Sequence, residues 1–316
     1  MRAGAYWVLR RGRFVRLDRD ALEAWAAELL PRPEPRWVAR YHFRGEPELT
    51  LRYLLLLDAL NFCFWPPAGF PHVRGEARKW SVSGPDGERL TGYYALSYAL
   101  RRVAEEEPGF LAAERLARLS AADLQGVLGD IPLLPWRAAA AREVGLLLLR
   151  FHGAARFFAL ARGSAPRLVE LLTAHLPMFR DGALYGGRWV PFHKRAQILV
   201  ADVWGTFGGQ GPGAFADMAW LTAFADYKLP QILWARGVLR IHPVLAERIR
   251  RGELLPWGSA EEVELRAATV VAVEELALWL RQQGRELLPF QVDWLLWNAA
   301  QTALPVPHHR TLTWAY

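Results

Sequence analysis

The sequence predicts a mainly α fold, a single compact helical domain over residues 1–316 that leaves room for two lobes, with a small β element near residues 80–94. Three observations carry this. Apolar residues recur at helical spacing through most of the chain. Segments that alternate strand with helix are absent, which argues against a doubly wound sheet. Only WSVSGPDGERLTGYY (80–94) reads as a hairpin, because Pro-Asp-Gly suits a tight turn between Gly84 and Gly87. No internal repeat, low-complexity tract or interdomain linker interrupts the pattern.

The elements follow in order. DALEAWAAELL (20–30) has helical spacing and stops at Pro31, Pro33 and Pro35. PELTLRYLLLLDALNFCFW (47–65) opens with Pro47 in the first turn, where its missing N–H costs nothing, and ends at Pro66 and Pro67. YYALSYALRRVAEEE (93–107) and the long AAAAREVGLLLLRFHGAARFFALA (138–161) continue the periodicity, as do KRAQILVADVW (194–204), GAFADMAWLTAFAD (213–226) and PQILWARG (230–237). SAEEVELRAATVVAVEELALWLRQQG (259–284) starts with Ser259 and Glu262 at capping-box spacing. LPFQVDWLLWNAAQ (288–301) is the last helix.

With 316 residues, 52% hydrophobic, 22% charged and 15 tryptophans, the chain is globular and long enough for a sizeable core. Its single cysteine, Cys63, excludes an internal disulfide or a multi-cysteine zinc site and fits a reducing cytoplasm. The opening twenty residues contain no apolar segment long enough for a signal peptide. The strongest apolar runs are broken by Asp58 and Asn61, and by Arg150, His152 and Arg156, so neither a membrane span nor a membrane partner is expected. A net charge of +7 permits an anionic partner. Only Lys79, Lys194 and Lys228 of the 39 basic residues are lysines. In an arginine-rich chain, a lysine can mark a site that needs a compact, mobile ammonium.

Several common chemistries are missing. GTFGGQGPG (205–213) lacks the Gly-Lys-Ser/Thr of a phosphate loop and reads as an interhelical loop. There is no His-Glu-x-x-His pair and no Gly-x-Ser-x-Gly elbow, and the adjacent His308 and His309 point in different directions. Neither a metal nor a cofactor is expected, and any hydrolysis should run on carboxylates.

Three stretches place polar residues in apolar surroundings. In LTAFADYKLPQILW (221–234), Pro230 biases Leu229 away from helical geometry and makes DYKL a bend between two helices. There Asp226 either caps the bend or joins Tyr227 and Lys228 beside the exposed N–H groups of the next helix, a place that favours anions. In PFHKRAQILVADVW (191–204), His193 starts one stripe, while Lys194, Ile198 and Asp202 follow the adjacent one. Lys194 and Asp202 stand roughly 12 Å apart at 1.5 Å per residue, so this helix either lines a cavity for a charged ligand or lies on the surface. In LLLLDALNFCFWPP (54–67), Asp58 and Asn61 either brace a neighbouring backbone or contact a polar ligand beside Phe62, Phe64 and Trp65.

These same stretches resemble the queuosine salvage proteins, queuosine 5'-phosphate N-glycosylases that release the base queuine. The matching segments are LLLLDALNFCFWP, KRAQILVADVWGTFGG, FADYKLPQIL, EEVELRA, VDWLLWNAA and PHHRTLTWAY, in the family's order from about residue 41 to 316. The chain departs from the pattern at Asn298 and Ala299, where an acid and an aromatic residue are usual, and at Leu312, where a second arginine is usual. The resemblance implies a fold like that of helical DNA glycosylases, and YKLPQIL weakly echoes a helix-hairpin-helix turn.

It also implies an N-ribosyl hydrolase acting on queuosine 5'-monophosphate, with Asp226 as the catalytic carboxylate and Asp202 as the alternative. Lys194 would then bind the 5'-phosphate or a ribose hydroxyl, with His309 and Arg310 as further phosphate contacts. Phe62, Phe64, Trp65 and Tyr227 would stack on the deazapurine, at about 1–3 kcal/mol per stack. Asp58 or Asn61 would read the base edge, and a carboxylate would pair with the amine of the base's side arm. His193 and Lys228 complete the expected pocket. Two other readings stay open: a basic helical module that binds tRNA or damaged DNA, and a helical scaffold without chemistry. The hydrolase reading expects no stable nucleic-acid partner.

Overall fold

The computed structural model describes residues 1–35, 37, 40–65 and 80–316; Lys79 and the Pro66–Pro67 stop lie outside them. Among the described residues fourteen α-helices carry the fold, and six short strands pair into three antiparallel ribbons, so the protein is mainly α as expected. Ser81–Ser83 pairs with Arg89–Thr91 where the Pro-Asp-Gly turn predicts. The other two ribbons escape the sequence reading: Gly182–Tyr185 with Arg188–Pro191, turned by Gly186 and Gly187 at positive φ, and Val15–Leu17 with the distant Leu239–Ile241.

Several helices form as their end signals dictate. Glu46 accepts N–H bonds from Glu48 and Leu49 at the start of Pro47–Ala59, and Ser259 accepts from Glu262 at the start of Ala260–Gln282. Lys194–Thr206 and Pro289–Ala299 match their expected segments within a few residues.

Three expectations fail for one shared reason, that side chains from elsewhere take the backbone groups a longer helix would have paired, and a fourth fails for a reason of its own. The helix from Pro47 ends at Ala59, not near residue 65. Beyond it Cys63 sits at φ 39, while the buried guanidinium groups of Arg195 and Arg137 take the carbonyls of Ala59, Leu60 and Cys63. Residues 138–161 are two helices, Leu134–Phe151 and Ala154–Ala159. His152 and Gly153 at positive φ break them, and Glu48 caps the second through the N–H groups of Ala154 (2.8 Å) and Ala155 (2.7 Å).

Residues 213–226 are not a helix. They form short 3₁₀ turns at Gly211–Gly213 and Met218–Trp220 and then run irregularly to Asp226. Gln197 accepts the Thr222 N–H (2.9 Å), Asp293 accepts the Phe224 N–H (2.7 Å), and Arg266 donates to the Ala225 carbonyl (2.9 Å). Finally, the following helix begins at Lys228 rather than Pro230, because a proline in a first turn lacks only an N–H that would have been unpaired anyway. YKLPQIL is therefore not a turn between two helices.

Buried apolar side chains gather in two main clusters. One is built on Pro47–Ala59, Leu134–Phe151 and Lys194–Thr206. The other joins the N-terminal helices to Ala260–Gln282 and Pro289–Ala299. Where Leu134–Phe151 crosses Ala113–Leu116, Gly145 is obligatory, since a Cβ there would lie 2.1 Å from the Ala117 nitrogen. Among the described residues no helix is long and apolar enough to cross a membrane.

Candidate active site

A cavity opens between the two clusters, drawing on side chains from both. Its wall includes Lys194, Ile198 and Asp202, the stripe expected on Lys194–Thr206, so this helix does line a cavity. The loop after Pro47–Ala59 supplies Asn61, Phe64 and Trp65, and the segment before Lys228–Ala235 supplies Asp226 and Tyr227 with Lys228. Eight of the expected residues thus meet at one place.

Asp226 is 6% exposed, and both its hydrogen bonds enter Oδ1, from the N–H groups of Lys228 (2.7 Å) and Leu229 (3.0 Å). The anion held at this helix N-terminus is therefore the Asp226 carboxylate itself, so it both caps the helix and lines the cavity. Burial pushes its carboxyl above the usual range, against the pull of Lys194 and those two N–H donors.

Lys194 is buried too, and burial lowers its ammonium against the attraction of Asp226 and Asp58. Its Nζ reaches the Asn61 carbonyl at 3.4 Å, and its backbone N–H donates to Asp181 Oδ2 at 2.9 Å. Asp181 is in turn gripped by the fully buried Arg266 at 2.7 and 2.5 Å, the same guanidinium that holds Ala225. One buried ion pair thus ties the backbone beside Asp226 to the backbone of Lys194.

Asp202 is held differently. Trp37 Nε1 donates to one oxygen at 2.9 Å and the Tyr93 hydroxyl to the other. Burial pushes its carboxyl up to about 6, against those two donors and Lys194.

Five expected residues do not line the cavity. Phe62 is fully buried between the guanidiniums of Arg137 (4.4 Å) and Arg195 (5.2 Å), which leaves no face for a base. Asp58 lies fully buried behind the wall, its Oδ1 accepting from Asn61 at 3.4 Å, and burial followed by the charge of Asp202 pushes its carboxyl well up. His193 sits at φ 51 as the residue before Lys194–Thr206. His309 is buried against the Tyr316 hydroxyl (3.2 Å), which donates to Glu262 (2.8 Å), and burial lowers its pKa to about 3. Arg310 forms a bridge with Leu254. Neither of these two tail residues is among those that line the cavity. Their neighbour His308 does reach the wall, with its ring 4.6 Å from that of Tyr227.

The sequence reading also missed Trp37, His42, Tyr93, Asp293 and Tyr316, which line the same cavity. Asp293 was findable, since it is an acid in an apolar aromatic run just as Asp226 is. Burial pushes its carboxyl well above the usual range, with the repulsion of Asp226 adding to it. The others carry no local signal. Asn298, one of the departures from the family pattern, lies on this wall as well.

Fold and site together define a mainly helical protein with a small-molecule cavity walled by aromatic rings, three carboxylates and two lysines. The chain belongs to the queuosine salvage protein family, whose model matches residues 41–316. It is 43% identical over 322 residues to the queuosine 5'-phosphate N-glycosylase/hydrolase of Sphaerobacter thermophilus, covering 98% of this chain and 95% of that one. Proteins of the same name from Dictyostelium discoideum and Mus musculus are 38% and 31% identical, over 85% and 98% of this chain and 79% and 96% of theirs.

Proposed function

We propose that the protein hydrolyses the N-glycosidic bond of queuosine 5'-phosphate and releases queuine, with Asp226 as the reacting carboxylate. The observation that carries this is the Asp226 side chain, anchored through one oxygen at a helix start, lining the cavity and neighboured by Lys194. The names of the family's members supply the substrate.

Breaking the bond puts positive charge on the ribose and negative charge on the departing base. A fixed carboxylate stabilises the first and orients or deprotonates the attacking water. Asp226 suits this better than Asp202, because Asp202 has both oxygens engaged by Trp37 and Tyr93. Asp293, whose carboxyl is pushed well above the usual range by burial with the repulsion of Asp226 adding to it, is the group to donate toward the departing base. Phe64, Trp65 and Tyr227 provide flat faces for it. Lys194 binds a ribose hydroxyl or the 5'-phosphate as a mobile point charge.

Incubation with queuosine 5'-phosphate, queuosine and guanosine 5'-phosphate, followed by chromatography of the released bases, tests the reading. Efficient release is expected from the first alone, and no release from it sinks the proposal. Lys194→Ala should weaken turnover of the nucleotide far more than that of the nucleoside; equal losses remove Lys194 from the phosphate.

The pH dependence has a definite sign. Asp226 must be ionised, and its raised pKa moves the acid limb of kcat/KM above the ordinary carboxylate value of about 3.9. Asp293 must be protonated, so activity falls again as pH rises through its higher value. Asp293→Asn should flatten that alkaline limb, and an unchanged profile would assign the proton to another group.

A further inference from the structure

Away from the cavity, the ribbon of Gly182–Tyr185 and Arg188–Pro191 packs against the helix Arg2–Leu9 and presents a face on which rings and guanidinium groups meet. Leu184 and Trp189 are cross-strand partners that both point outward, 65% and 51% exposed, while Ala183 and Val190 on the other side of the pleat are buried. The Trp189 ring folds back over Gly182, where a Cβ would lie 2.5 Å from it. Beside the ribbon, Trp7 meets the Tyr185 ring at 5.9 Å and lies under the guanidinium groups of Arg11 at 4.7 Å and Arg188 at 5.4 Å. Arg10 and Arg13 flank Arg11 just after the helix, and the charge of Arg13 reaches the Tyr185 hydroxyl.

These four arginines are exposed, and among the described residues none of them is paired with a carboxylate. Glu264 adjoins Gly12 but is buried, its oxygens taken by the N–H groups of Phe14 (2.6 Å) and Val15 (3.1 Å) and by the Tyr185 hydroxyl (2.8 Å). Glu275 likewise accepts from the Tyr6 hydroxyl at 2.8 Å. Arg101, Arg102, Arg248 and Arg251 differ, since each has an acid partner. The ribbon face is therefore positive without a counter-charge of its own, and none of Trp7, Arg11, Arg188 and Trp189 lines the cavity.

We propose that this face docks a single-stranded polynucleotide, with its phosphates on Arg10, Arg11, Arg13 and Arg188 and an unpaired base stacked on Trp189. The contact is independent of the hydrolase chemistry. Charge complementarity selects a polyanion. The exposed ring then selects one with flat, unpaired bases, because only these leave a face free to stack. An acidic peptide offers the ring no such face. A membrane surface fits poorly, because the hairpin tip is Gly186–Gly187, with no apolar side chain to insert, and the Trp189 ring lies back along the ribbon.

Fluorescence anisotropy of a labelled oligoadenylate ribonucleotide, titrated with the full chain over a range of salt, tests this. Binding is expected at low salt and should weaken steeply as salt rises. Trp189→Ala should lower affinity about tenfold, and Trp189→Phe should keep most of it. Arg188→Ala, which leaves the Trp189 ring in place, should reduce the slope of log affinity against log salt by about 0.7, the share of one phosphate on a single strand. Arg102→Ala, on the separate helix Gly92–Glu106, removes the same charge and should change neither quantity. Annealing the probe to its complement should abolish the effect of Trp189→Ala. Absence of binding, equal losses in Arg188→Ala and Arg102→Ala, or indifference to Trp189→Ala overturns the proposal. So does a duplex bound with the same dependence on Trp189, or attachment to phosphatidylglycerol vesicles that depends on Trp189.

Discussion

Asp226→Asn is expected to bind queuosine 5'-phosphate almost as well as the native protein and to release its base about 10³-fold more slowly. The asparagine carbonyl oxygen can keep both bonds that Asp226 Oδ1 accepts, from Lys228 and Leu229, and asparagine caps a helix start as well as aspartate does. Local geometry is therefore retained and only charge is removed. Because burial already opposes ionisation of Asp226, thermal stability should hold or rise. Single-turnover kinetics beside a direct binding measurement separate the two effects. Undiminished base release would shift the chemistry to another group, with Asp202 the first to examine.

Arg266→Met is expected to cost about 3–5 kcal/mol of stability, because it leaves Asp181 buried without its cation. Arg266 is fully buried, lies over the rings of Phe192 (4.1 Å) and Tyr316 (4.4 Å), and cannot be replaced by lysine, whose single ammonium cannot grip both Asp181 oxygens and the Ala225 carbonyl. Adding Asp181→Leu removes the stranded charge and should return much of the stability in urea unfolding. Activity should stay low in the double variant, since the tie between the Asp226 segment and Lys194 is gone. Full recovery of both quantities would reduce the pair to a structural one.

Much of the cavity was legible because its polar residues sit in apolar stretches, where an unpaired charge is too costly to be incidental. Asp226, Lys194 and Asp202 were read on that ground, and the cavity contains all three. The same ground also overreached: Asp58 lies behind the wall, and His309 belongs to the Tyr316–Glu262 network. A buried polar group must have partners, but sequence does not say whether these are protein or ligand.

The sequence by itself determined the helical class, most helix starts through their caps and prolines, and the stripe from Lys194 to Asp202, because each depends on neighbours within a turn or two along the chain. Only the tertiary structure decided that residues 213–226 are not a helix, that the helix from Pro47 stops at Ala59, and that Trp37, His42, Tyr93 and Asp293 join the site. Those outcomes rest on hydrogen bonds from partners tens to hundreds of residues away, such as Arg137 to Leu60 and Trp37 to Asp202. Local periodicity contains no trace of such partners, and the free energy of satisfying buried backbone and carboxylate groups outweighs the small preference of any one residue for a helix.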